Sequence, residues 1–150
     1  QNYTLQALMD EINKYPETDV LEYPIMERIG HPYKEQLLAF TPRNYNNCWE
    51  YWLNEQGYLH TYACNKIFRR CLFKNVYFPK GKTFEDVQTI PFLIGLIPTE
   101  GTFQQKVKIR VTNKGCYLYY WNNKGITASA KYEDLLSLYI AWHLSTHSRQ

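Results

Sequence analysis

The stretch Gln105–Trp121, QKVKIRVTNKGCYLYYW, carries the clearest local pattern in the chain. Val107, Ile109 and Val111 alternate with Lys106, Lys108 and Arg110, the two-residue period of a strand with one buried and one exposed face. Asn113-Lys114-Gly115 supplies residues that tolerate positive φ and so predicts a turn. Gly115–Trp121 then returns as an aromatic, β-prone strand. The expected product is a hairpin with three cations in a row on one face, about 6.5–7 Å apart. On the return strand Tyr117, Tyr119 and Trp121 share one face, with Leu118 and Tyr120 on the other.

The rest of the chain frames this hairpin. Thr4–Tyr15 places Leu5, Leu8, Met9, Ile12 and Tyr15 on one helical stripe, and Pro16 stops it. Prolines at 16, 24, 32 and 42 keep the following elements short. Val20–Ile29 reads as a brief strand or a turn of helix, and Pro32–Phe40 as a short helix with proline in its first turn. Cys48–Leu53 and Tyr58–Cys64 read as strands joined by Asn54-Glu55-Gln56-Gly57, and Phe68–Phe78 as a third aromatic strand. Ile90–Ile97 reads as a buried strand, and Ile126–Ala130 as one more short strand. Lys131–His147 closes the chain as a helix, with Glu133 and Asp134 at its start and His143 and His147 at its end, the signs that a helix dipole favours.

Helices at both ends of a run of short strands predict an α+β fold with an antiparallel sheet. The expected organisation is one domain over 1–150, with an acidic, proline-punctuated helical portion at 1–45 and a basic sheet portion with a closing helix at 46–150. At 45% hydrophobic and 21% charged residues, the composition is that of a globular chain rather than a disordered one. No run of about 18 apolar residues is present to span a membrane, and the opening residues lack the charged-then-apolar pattern of a signal peptide. The compartment stays open.

The net charge of +3 conceals a division. Residues 1–55 hold nine acids and four bases; residues 56–150 hold thirteen bases and five acids. The windows 56–84 and 101–132 contain six bases each and no acid. Such a split suits an anionic partner, or a fold in which the acidic part neutralises the basic part. The 14 tyrosines serve either reading, because tyrosine adds a hydroxyl to a large apolar ring at little entropic cost.

Cations beside flat rings are the ingredients of single-stranded nucleic-acid sites. The candidate contacts are Lys106, Lys108 and Arg110, extended by Arg69, Arg70 and Lys74, with Tyr117, Tyr119 and Trp121 as stacking rings. No G-x-S-x-G, phosphate-binding glycine loop or H-E-x-x-H occurs. Cys64 with His60, or His31 with a distant carboxylate, are nucleophile–base pairs that the composition permits, as any chain with four His and four Cys does. Two metal arrangements are compatible with the spacing, His143 with His147 and a Cys48, His60, Cys64, Cys71 set. The four cysteines, the fourth being Cys116, match no compact zinc pattern and permit either two disulfides or four free thiols.

Tyr132, Leu135, Leu138 and Tyr139, following the 115–121 strand, look like the last helix of phosphotyrosine-binding SH2 domains over some 30 residues. That family's strand arginine, in its F-L-V-R setting, has no counterpart, since Phe73-Lys74 is not that motif. The chain is not assigned to the family. The leading expectation is a non-enzymatic interaction module whose basic, aromatic sheet face binds an anionic partner, nucleic acid first, with no cofactor, metal or catalytic residue assigned. The alternative is an extracellular or viral-type protein-recognition domain stabilised by two disulfides.

Overall fold

A computed structural model describes residues 3–33, 35–98, 106–125 and 128–147. Helix α1 (Tyr3–Lys14) leads into β1 (Val20–Glu22) and β2 (Ile25–Ile29). Strands β3 (Gln36–Leu38) and β4 (Arg43–Tyr45), helix α2 (Cys48–Asn54) and β5 (Lys66–Phe68) follow. Helix α3 (Glu85–Leu93), strands β6 (Ile109–Val111) and β7 (Tyr117–Tyr120) and helix α4 (Tyr132–His147) complete the order. Short 3-10 turns occupy Gly57–Leu59 and Arg70–Phe73. The class is α+β, with helices at both ends.

The strands form two mixed sheets. Sheet A runs β4-β6-β1-β5 and sheet B runs β3-β2-β7. Each contains one parallel pairing: β1 with β6, and β2 with β7. The 105–121 hairpin does not form, and its Gln105 lies outside the described residues. Both edges of β6 are occupied, by β1 and by β4, so β7 has no ladder to join there. Instead the chain from β6 to β7 runs alongside the chain from β1 to β2. The Thr112 N–H bonds the Glu22 carbonyl at 3.0 Å, and the Tyr117 N–H bonds the Pro24 carbonyl at 2.8 Å. Pro24 lacks an N–H, which separates the two sheets at that point. Gly115 takes φ +69°, and a Cβ there would lie 3.0 Å from Thr4 and 3.2 Å from Leu8 of α1. The turn glycine therefore admits a helix rather than closing a hairpin.

Several further expectations give way. Val20–Ile29 is two strands, and Pro32–Phe40 contains β3 where a helix was expected. Cys48–Leu53 is helix α2 because Asn47 caps it, its side-chain oxygen accepting from the Trp49 N–H at 2.8 Å, with Glu50 in the first turn. Tyr58–Cys64 is a 3-10 turn and loop, and Phe68–Phe78 keeps strand geometry only at its first residue. Ile90–Ile97 belongs to α3 and its exit; Ile90, Leu93 and Ile94 recur at helical spacing and are buried. Of Ile126–Ala130, residues 126 and 127 lie outside the described set, and 128–130 are not strand.

The core lies on both faces of sheet A. On one side Val20, Ile109 and Val111 pack with Tyr51 and Trp52 of α2 and with Ile90, Leu93 and Ile94. On the other, Leu8 of α1 meets Leu21 and Tyr23, with Ile12 and Ile67 beside them. Val107, Ile109 and Val111 are buried as their alternation implies, but α1 also covers the opposite face of β6. There the Glu11 carboxylate accepts from Arg110 Nε at 2.8 Å and Nη2 at 2.5 Å, and from the Thr112 hydroxyl at 3.2 Å. Arg110 Nη1 donates to Asn44 Oδ1 at 2.7 Å, and its guanidinium lies 3.5 Å from the centre of the Tyr15 ring. Removing one partner would strand the other charge in a buried place. Arg110→Ala is therefore expected to cost about 3–5 kcal/mol in urea denaturation, and Glu11→Leu/Arg110→Met to recover most of that loss.

Candidate functional site

The sequence-predicted cations divide once folded. Arg110 is buried and committed to Glu11, so it is a structural ion pair rather than a surface contact. Lys106, Lys108, Arg70 and Lys74 are exposed. Lys108 lies just before β6, and Arg69 and Arg70 just after β5. Strand β1 stands between β6 and β5, parallel to one and antiparallel to the other. That topology brings the two acid-free stretches to the same end of sheet A. Their chain paths are separated there by about two strand spacings, near 10 Å.

Asp19 joins them. Its N–H donates to the Lys108 carbonyl at 2.8 Å, and its carbonyl accepts from the Arg69 N–H at 2.7 Å. Its carboxylate accepts from the Lys108 N–H at 3.0 Å through Oδ2 and pairs with Arg69 Nε at 2.8 Å through Oδ1. Arg69 Nη2 also donates to the carbonyls of Pro16 at 2.5 Å and Thr18 at 2.9 Å. The Arg69 guanidinium is thus fixed in position, while Lys106, Lys108, Arg70 and Lys74 extend into solvent.

The aromatic candidates stand apart from the cations. Tyr117 and Tyr119 are exposed on β7 in sheet B, and Trp121 is half-buried with its ring edge-on to His31 at 4.2 Å. Tyr117 pairs with Ile25, whereas Lys108 bonds at the level of Asp19. Six residues of extended chain place them up to about 20 Å apart. Tyr33 also packs on His31, with ring centres 5.0 Å apart, so these rings form a cluster of their own.

The densest polar constellation was not visible as such in the sequence. Glu22 is fully buried on β1. Its Oε2 accepts from the Tyr51 hydroxyl at 2.7 Å; its Oε1 meets Lys66 Nζ at 2.7 Å, His60 Nδ1 at 2.8 Å and Asn65 Nδ2 at 3.3 Å. Lys66 Nζ further donates to the carbonyls of His60 and Tyr62, each at 2.8 Å, and to Asn65 Oδ1 at 3.0 Å. His60 Nε2 lies 2.8 Å from the Glu55 carbonyl. Both ring nitrogens of His60 lie at hydrogen-bond distance from oxygen atoms, Nδ1 from Glu22 and Nε2 from the Glu55 carbonyl. Burial alone would push the Glu22 carboxyl up; Lys66 and His60 outweigh it and hold the group down at about 2. Burial, with Glu22 adjacent, drives the Tyr51 phenol well above its ordinary range, so it stays a donor. A carboxylate, an imidazole and an ammonium are common catalytic equipment, but here they are closed to solvent and serve one another. The signal that could have found them is a lone glutamate inside the apolar run Val20-Leu21-Glu22-Tyr23.

This arrangement also settles the other chemical pairings. With both nitrogens of His60 engaged, it forms neither a base for Cys64 nor a ligand beside Cys48, Cys64 and Cys71. Burial pushes the Cys48 and Cys64 thiols up, Asp86 adding to the effect on Cys64, which disfavours thiolate at neutral pH. Among the described residues no group of three or more His, Cys, Asp or Glu stands together as a metal site. The His143 ring stacks on Tyr139 at 5.9 Å; the His147 side chain lies outside the described set. No helix among the described residues is long and apolar enough to cross a membrane. No family model matches the chain, and no curated protein matches it significantly.

The four cysteines are free thiols. Cys64 and Cys116 both lie near the Tyr23 phenol, but their segments flank Tyr23-Pro24 on opposite sides. They are about two strand spacings apart, beyond the roughly 4.4–6.8 Å Cα separation of a disulfide. Alkylation without reductant, followed by mass spectrometry, is expected to count four thiols per chain; two bridges would contradict this fold. A second expectation concerns acid. Because the folded-state value for Glu22 lies below its ordinary 4.5, its contribution is complete above that pH and is lost as pH falls from about 4.5 to about 2. Denaturant titrations at graded pH should show a loss on the order of 3 kcal/mol from this group, and Glu22→Gln should abolish that component.

Proposed function

We propose that this chain is a non-enzymatic interaction module that binds an anionic macromolecule, nucleic acid foremost, through the basic end of sheet A. One observation carries the reading: β1 brings the two acid-free stretches together, leaving Lys106, Lys108, Arg70 and Lys74 exposed. Cations spent on neutralising the acidic part would be buried or paired, as Arg110 is. Lysines on a flexible stem suit phosphates as point charges, and a spread of four suits a chain of phosphates better than a single one. In this reading Arg110 supports the surface from behind and makes no phosphate contact.

A protein-recognition role is the second reading, favoured by the exposed tyrosines on and beside sheet B, where Tyr33 is 79% and Tyr120 65% exposed. Exposed tyrosine clusters of this kind are typical of protein-binding surfaces. The thiol count separates its disulfide-stabilised form from the nucleic-acid reading.

Fluorescence anisotropy of labelled single-stranded and duplex oligonucleotides across a salt series tests the first reading. Affinity should fall linearly with salt on logarithmic axes. Changing Lys106, Lys108 and Arg70 to Ala together should reduce the single-strand slope by about 2, at roughly 0.7 per phosphate contact. Absence of binding at low salt, or a triple variant that binds as the parent does, overturns the proposal.

A further inference from the structure

A groove opens between the C-terminal end of α1 and strand β5, at the end of sheet A that carries the cations. It encloses about 320 Å³, at the low end of the roughly 300–1,000 Å³ of small-molecule sites. Ile12, Leu21 and Ile67 are among its apolar lining residues; Asn13, Thr18, Arg69 and Asp19, whose carboxylate is paired with Arg69, are its polar ones. An apolar slot with a few polar groups is suited to a flat heterocycle and poorly suited to a bare phosphate.

Arg69 decides which ligand fits. Its Nε is paired with Asp19, and its Nη2 donates to two backbone carbonyls. The charge has a carboxylate partner, and two of its three nitrogens are already used. Yet 44% of the side chain remains exposed. What such a residue offers is the flat face of a guanidinium held by three acceptors, and bases stack on arginine planes as they do on aromatic rings. The exposed Lys108 and Arg70 adjoin it in the chain paths on either side.

We infer that the groove takes one unpaired base of a single-stranded nucleic acid, stacked on Arg69, while Lys106, Lys108 and Arg70 hold the flanking phosphates. This rests on the nucleic-acid reading above and narrows it, since a paired base in a duplex does not expose its faces. Asn13 and Thr18 supply donors and acceptors for the base edge. The sequence pointed to Tyr117, Tyr119 and Trp121 for stacking; the inference moves that role to Arg69.

The test compares a single-stranded oligonucleotide with an abasic sugar-phosphate oligomer of the same length and charge. The parent chain should prefer the base-bearing strand by about tenfold, within the range for stacking one base. Arg69→Lys keeps the charge and loses the plane; it should bring the two ligands within about twofold while leaving the salt slope unchanged. Because Arg69 also ties down the chain at Pro16 and Thr18, Asn13→Leu, which adds bulk without a stacking ring, serves as the second variant. It fills the groove from an exposed helix position, leaves the Asp19 pair intact, and should remove the same preference. Equal affinity of the parent chain for both ligands, or a preference that survives Asn13→Leu, overturns the inference while the basic surface stands. No binding of either ligand at low salt overturns both.

Discussion

The carboxylate of Glu22 is the constraint on which the fold depends. A charge taken fully out of water costs several kcal/mol unless its surroundings replace the lost hydration. Here four donors do so, and they come from different parts of the chain: Tyr51 from α2, His60 from the loop after the 3-10 turn, and Asn65 and Lys66 from β5 and its approach. Lys66 is satisfied in turn by three oxygens besides Glu22. Such a network tolerates no slip. Glu22 is paired directly with Lys66 in the β1–β5 ladder, and a shift by one residue would carry the carboxylate to the α1 face, beside Leu8, away from its four donors and opposite an Arg110 already committed to Glu11. The apolar core supplies driving force, while the ionic cluster specifies which register that core adopts.

The division of charge along the chain acquires its meaning from the same source. Glu11, Asp19 and Glu22, all in the acidic opening, pair with Arg110, Arg69 and Lys66, all in the basic remainder. Much of the asymmetry is therefore internal, and the hydrophobic alternation of β6 gave no warning of it. Lys106, Lys108 and Arg110 are equivalent as letters on one strand face. They differ only because α1 crosses above the strand and reaches Arg110 with Glu11 and Tyr15. Which cations face solvent is a property of helix placement.

That distinction also describes how much of the fold was legible in the sequence. Helices α1 and α4 were readable because a helix of twelve or sixteen residues repeats its pattern several times. The burial of Val107, Ile109 and Val111 was readable from period two. Strands of three residues, such as β1, β3, β4 and β5, are too short to display a period. Aromatic runs favour strands only in suitable surroundings, so Cys48–Leu53 was misread, although the cap at Asn47 with Glu50 three residues on was present. Glu85-Asp86 and the positive-φ Gly95 likewise bracket α3. The hairpin failed for a different reason: pairing partners 64 or more residues away in the chain took both edges of β6 or lay beside β7, and nothing local announces a distant partner. For the site, the choice of Lys106, Lys108 and Arg70 as exposed cations was legible, whereas the loss of Arg110 and the separation of the rings were not.

Asp19 shows how a single short side chain can decide the composition of a surface. Its backbone groups bond one to Lys108 and one to Arg69, fixing the two basic segments at a common level. Its carboxylate repeats both links. The acid that reduces the local charge is therefore also the one that assembles the cations. Without its carboxylate the ladders of β1 with β5 and β6 would still align the two windows, but Arg69 would lose the anion paired with its Nε. Electrostatic attraction of a polyanion depends on how many cations present themselves together. A pinned arginine beside exposed lysines gives that group one fixed guanidinium with solvent-facing charges around it.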